Sequence, residues 1–117
     1  MSSRTLIVAR LDPAHTGAVA ELFGASDRTE LPALVGVRSR TLFSYHSLYF
    51  HLVESDGPTG VARRLGEVRE HPLFRELNSA LADYVRPYDP SWRQPADAMA
   101  TTFYQWSRED TGPRSDS

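Results

Sequence analysis

The sequence predicts an α+β domain, with a four-stranded antiparallel sheet and helices laid on it. Three observations carry this expectation. Residues 35–44 and 48–55 are two alternating runs rich in β-branched and aromatic residues, close enough to read as a hairpin. Similar runs occur near both ends of the chain, at 4–11 and 98–106. Between them lie stretches whose apolar residues recur at helical spacing.

Taken in order, "RTLIVARL" (4–11) is the first strand. Asp12-Pro13 then suits a helix N-cap with Pro in the first turn. Val19, Leu22 and Phe23 give that helix an apolar stripe, and Gly24-Ala25-Ser26 suits its end. "DRTELPAL" (27–34) reads as a loop, with Leu31 biased towards an extended conformation by Pro32. "VGVRSRTLFS" (35–44) is the second strand, Tyr45-His46 the turn, and "LYFHLVES" (48–55) the third strand. A helix over about 59–70 places Val61, Leu65 and Val68 on one side, and His71-Pro72 breaks it. A further helix over about 73–85 carries Phe74, Leu77, Leu81 and Tyr84. Three prolines make 86–97 a long loop before "AMATTFYQW" (98–106), the fourth strand. The order β-α-β-β-α-β is ferredoxin-like. One domain over 1–107 is expected, with a polar, disordered tail at 108–117.

Bulk properties narrow the function classes. A chain of 117 residues suits one domain. A formal net charge of −2 gives no nucleic-acid footprint. Without Cys there is neither a disulfide framework nor a thiolate metal site. All 13 basic residues are Arg, so no lysine Schiff base can form. No apolar run is long enough for a membrane span or a signal-peptide core, and a cytoplasmic protein is expected.

Neither face of the sheet reads as solvated. In the third strand Leu48, Phe50 and Leu52 point one way, and Tyr49, His51 and Val53 the other. Two or three helices cover only one face. An uncovered aromatic face marks a partner or ligand surface, and a homodimer joined sheet to sheet is predicted, with His51 on the face that the second subunit covers. The alternative is a half-solvated sheet. With a Tyr45-His46 turn, Arg40 stands opposite His51 and Leu42 opposite Tyr49, with Arg38 and Val53 next along.

A guanidinium beside a buried imidazole holds the imidazole neutral, since both the charge and the burial oppose protonation. A neutral imidazole can act as a general base, and an Arg can hold an enolate or phenolate oxygen. Equally, Arg40 can pair with a carboxylate while His51 makes a structural hydrogen bond. Asp27 and Arg28, after the first helix, can reach a pocket at the sheet's end or serve as turn residues. His15 and His46 suit the surface. His46, His51 and Glu54 fit no usual metal-ligand spacing, so no metal is expected.

The segments "LIVARLDP", "TELPALVGVRSRTLFSYHSLYFHLVES", "HPLF" and "YDPSWRQPADAMATTFYQW" resemble the aromatic polyketide cyclases of the tetracenomycin F2 cyclase type, which include spore-pigment cyclases. The resemblance spans about residues 4–106. It implies a ferredoxin-like fold that dimerises as an α+β barrel. It implies a cofactor-independent aldol condensation and dehydration on a partly cyclised poly-β-keto chain, with type II synthase components as possible partners. It assigns catalytic roles to His51, Arg40 and Asp27. Arg28, Arg38, Tyr49, Tyr104 and Trp106 are candidates for holding the substrate. The tetracenomycin member has a His where this chain has Ser26. Two other readings stay open: a cofactor-free monooxygenase acting on an anthrone, and a non-catalytic folding partner of a synthase.

Overall fold

The structure is a computed structural model that describes residues 2–56, 61–93, 95–106 and 108. The expected disordered tail lies, apart from Arg108, outside the described residues, as do residues 57–60, which include the start of the helix predicted over about 59–70.

Four strands, β1 (Ser2–Leu11), β2 (Val37–Tyr45), β3 (Leu48–Asp56) and β4 (Val85–Pro87), form one sheet in the order β2-β3-β1-β4. Every neighbouring pair is antiparallel. Among the described residues four α-helices accompany it: α1 (Thr16–Ser26), α2 (Leu31–Val35), α3 (Ala62–Val68) and α4 (Pro72–Leu81). None is long and apolar enough to cross a membrane, among the described residues.

Local chemistry explains most of the boundaries. Asp12 accepts a hydrogen bond from the Ala14 N–H and opens a single 3₁₀ turn that leads into α1. His71 is a break, as expected, and also a cap: its Nδ1 accepts from the Leu73 N–H at 3.1 Å and starts α4. The predicted loop at 27–34 instead holds α2. Pro32 sits in that helix's first turn, where its missing N–H has no intrahelical partner to lose. Gly36 ends α2 at φ +81°, a left-handed conformation that an L side chain resists. Gly36→Ala is therefore expected to lower stability by about 1 kcal/mol, read from urea denaturation midpoints. An unchanged midpoint would show that this backbone relaxes.

The hairpin turn is His46-Ser47, not Tyr45-His46, because Tyr45 pairs with Leu48. His46 supplies the positive φ, 55°, that a tight hairpin needs. The register therefore lies two residues from the expected one. Leu42 faces His51 and Arg40 faces Val53. A shift of two keeps every side chain on its face, so Arg40 and His51 remain diagonal neighbours.

The helices pack on the face that carries Ile7, Ala9, Leu11, Tyr49 and Val53, not on the opposite one. Strand β3 alternates strictly, with Tyr49, His51, Val53 and Ser55 buried. His51 is thus enclosed by this chain's own helices, which corrects the expectation that a second subunit covers it. The core is two adjoining clusters, one against Val19 and Phe23 of α1, the other against Leu31 and Val35 of α2 and Val61.

The fourth strand is displaced. It is Val85–Pro87, paired with residues 9–11 of β1. An edge position tolerates Pro87, whose nitrogen has no hydrogen to give a neighbouring strand. In the predicted strand at 98–106, backbone pairing with β1 is a bridge from Met99 to Ile7 and a hydrogen bond from the Ala100 N–H to the Leu6 carbonyl, among the described residues. Residues 101–106 form no strand, and Phe103, Tyr104 and Trp106 are exposed.

Candidate active site

Between the sheet and the helices lies a cavity of about 460 Å³. Its wall is mostly apolar and includes Phe23 of α1, Leu77 of α4 and Trp92. Arg40, Tyr49 and His51 supply polar groups on the sheet side. A mainly apolar concavity with a few convergent polar groups is the usual form of a small-molecule site.

Those polar groups are one connected chain. Asp27, the residue that ends α1, receives Arg40 in a fork: Arg40 Nε lies 3.1 Å from both carboxylate oxygens and Nη2 lies 2.7 Å from Oδ1. The third nitrogen of the guanidinium, Nη1, is 3.2 Å from His51 Nε2. On the far side of the ring, His51 Nδ1 is 3.2 Å from the Tyr49 hydroxyl. Alternation along β3 puts Tyr49 and His51 on one face, and the hairpin brings Arg40 alongside. Phe23 braces the assembly. Arg40 stacks over its ring at 4.7 Å, and the His51 ring meets it edge-on at 5.1 Å.

Burial, helped by the Arg40 charge, lowers the His51 pKa from its ordinary 6.5 to about 3. The imidazole is therefore neutral at pH 7, as the sequence implied. Burial also raises the Tyr49 pKa, outweighing the opposite pull of Arg40, so the phenol keeps its proton.

The other candidates lie elsewhere. Arg28 is exposed and does not line the cavity. Arg38 sits at the register irregularity of β2, where it pairs with Asp56 at 3.4 Å on the surface. Tyr104 and Trp106 are exposed and do not line the cavity either. Sequence reasoning missed the part played by Phe23, which it read only as core stripe. A ring placed one helical turn before Asp27 was the available signal. Ser26, beside Asp27, has a buried hydroxyl oxygen with no hydrogen-bond partner among the described residues. No three His, Asp or Glu side chains gather as a metal site among the described residues.

Comparison with known proteins adds an independent line. A family model described as polyketide synthesis cyclase matches residues 3–107. Tetracenomycin F2 cyclase of Streptomyces glaucescens is 43% identical over 111 residues, covering 95% of this chain and all of that protein. The polyketide synthase CurG of Streptomyces cyaneus is 43% identical over 105 residues, covering 89% of this chain and 96% of that one. The solved structure of the Streptomyces glaucescens cyclase, described as a type-II polyketide cyclase, matches with a TM-score of 0.83 at 44% identity. That match covers 90% of this chain and 97% of the other.

Proposed function

The chain belongs to the polyketide synthesis cyclase family, and we propose that it closes a ring of a partly cyclised poly-β-keto intermediate by intramolecular aldol condensation and dehydration. The observation that carries this reading is the Asp27–Arg40–His51–Tyr49 chain set into the wall of an apolar cavity.

The chemistry asks little of a base. A methylene between two carbonyls enolises readily, because the charge spreads over both oxygens. The enol carbon then bonds to a distant carbonyl carbon as the enol oxygen gives its proton to solvent and becomes a carbonyl again. The π pair of the attacked carbonyl moves onto its own oxygen. That oxygen takes up a proton, and water later leaves with a neighbouring hydrogen. Carbon skeleton, protons and electrons balance without an oxidant, so the proposed reaction calls on no cofactor.

The site suits the two demanding parts, conformational choice and oxygen stabilisation. Apolar walls fold the flexible chain. Asp27 orients Arg40 and leaves one N–H on each terminal nitrogen of the guanidinium for a substrate oxygen. His51 fits the role of base poorly. A pKa near 3 makes it a weak proton acceptor at pH 7, and its Nε2 lone pair already faces Arg40.

The test uses purified protein and an aromatic polyketide with an unclosed β-keto tail, followed by ultraviolet spectrum and mass. Loss of one water with ring closure is expected. Oxygen uptake with an anthrone, and no closure, would replace this reading with the monooxygenase.

The outer face of the sheet supports a homodimer completing an α+β barrel. Leu6, Val8, Phe50 and Leu52 share that face with Phe43 and Tyr45, the last two 50% and 64% exposed. The Arg4–Glu54 ion pair lies on the same face at 3.0 Å, as at a polar rim. A second copy sheet to sheet would cover this apolar centre. Sedimentation at twice the monomer mass is expected, and a monomer would sink the proposal.

A further inference from the structure

We infer that Tyr49 is the group that presents a hydrogen to the reacting oxygen of the substrate, and that His51 is a positioning residue that sets it up. The inference deepens the cyclase reading and rests on it for the identity of the substrate.

The argument follows hydrogens along the chain. A guanidinium has no acceptor, so at the 3.2 Å contact Arg40 Nη1 donates and His51 Nε2 accepts. Nε2 therefore bears no proton. A neutral imidazole bare at Nε2 carries its hydrogen on Nδ1. That Nδ1–H then points at the Tyr49 hydroxyl, 3.2 Å away, and donates to its oxygen. The phenol's own hydrogen is left over. Among the described residues no other group is hydrogen-bonded to this hydroxyl.

A buried phenol normally finds an acceptor for its hydrogen. Tyr49 is 4% exposed and lines the cavity, so an oxygen of a bound polyketide is the natural acceptor. Every link runs the same way, from Arg40 through His51 to Tyr49, so each hydrogen bond polarises the next. Asp27 fixes the first link through its fork with Arg40. The bond from Tyr49 strengthens as negative charge grows on the carbonyl oxygen during ring closure. Tyr49 keeps its proton throughout, consistent with the upward shift that burial imposes on it.

The tautomer is read without substrate, by ¹⁵N NMR of His51 in the intact protein. A protonated Nδ1 and a bare Nε2 are expected, and a protonated Nε2 would overturn the proposal. Kinetics with the unclosed polyketide supply the second readout. Tyr49→Phe keeps the ring and removes only the oxygen. It is expected to lower kcat about 10²-fold with KM unchanged. His51→Gln, which can accept from Arg40 and donate to Tyr49, should retain more kcat than His51→Ala. Wild-type kcat in Tyr49→Phe, or a loss confined to KM, would reduce Tyr49 to wall packing and overturn the inference. Ring closure absent from the wild-type protein would instead count against the cyclase reading, and the NMR tautomer would still decide the arrangement.

Discussion

Arg40→Ala is expected to lower kcat for ring closure about 10²- to 10³-fold, more than the loss of any other side chain of the site. Arg40 is the junction of the chain. It binds Asp27 with two nitrogens, reaches His51 with the third, and lies over Phe23. Truncation removes the only cation of that chain and strands His51 Nε2, which is buried. An unsatisfied acceptor of that kind costs about 1–3 kcal/mol, so the variant should also unfold at lower urea. Asp27 adds little to that cost, because its side chain is 39% exposed and water can replace the guanidinium. Arg40→Lys separates charge from geometry. An ammonium restores the charge but cannot hold the planar fork and reach His51 together. Arg40→Lys is therefore expected to regain stability without regaining rate. A wild-type rate in this variant would show that charge alone suffices.

That junction was partly legible in the sequence. Periodicity put Arg40 and His51 on one face, and this survived a register error because the error was an even number. The turn itself was hard to read. No Gly or Asn marks it, and His46 takes the positive φ in their place. The choice of face was not legible either. Both faces of β3 are apolar, so alternation alone could not say which one the helices cover. Three-dimensional packing decides it, through Val19 and Phe23 on the stripe of α1. Residues 98–106 alternate as a strand should, yet a strand needs a partner edge. The free edge of β1 is taken at residues 9–11 by Val85–Pro87 and at 6–7 by Met99 and Ala100. Asp27 entered through resemblance and a loop position, because a salt bridge between a helix end and a strand leaves no periodic trace. Tyr49 was read as wall. Its second role depends on which nitrogen of His51 holds a hydrogen, which composition and spacing do not encode.

His51 carries the other large effect, on stability against pH. Its pKa is about 3 in the folded chain against an ordinary 6.5. Between these values the unfolded chain binds a proton that the folded chain does not. Stability therefore rises with pH across this window, is complete above about 6.5, and is lost as pH falls towards 3. From pH 7 to pH 5 the loss due to this one residue is about 2 kcal/mol. The groups in contact with the imidazole do not blur the window. Tyr49 stays neutral, and Phe23 does not titrate. Asp27 is joined to the ring through Arg40, and other ionisable groups lie across the chain, so a difference measurement is needed. Urea unfolding of wild type and His51→Gln from pH 5 to pH 8 supplies it. The free-energy gap, wild type minus variant, should grow from pH 5 to pH 7 and then level. Two parallel curves would mean that His51 accepts a proton in the folded state as easily as in water. The same measurement bears on the chemistry. An imidazole that resists protonation to pH 5 cannot produce an inflection near pH 6.5 in kcat. A rate profile flat through that region is what a protonated Tyr49 requires.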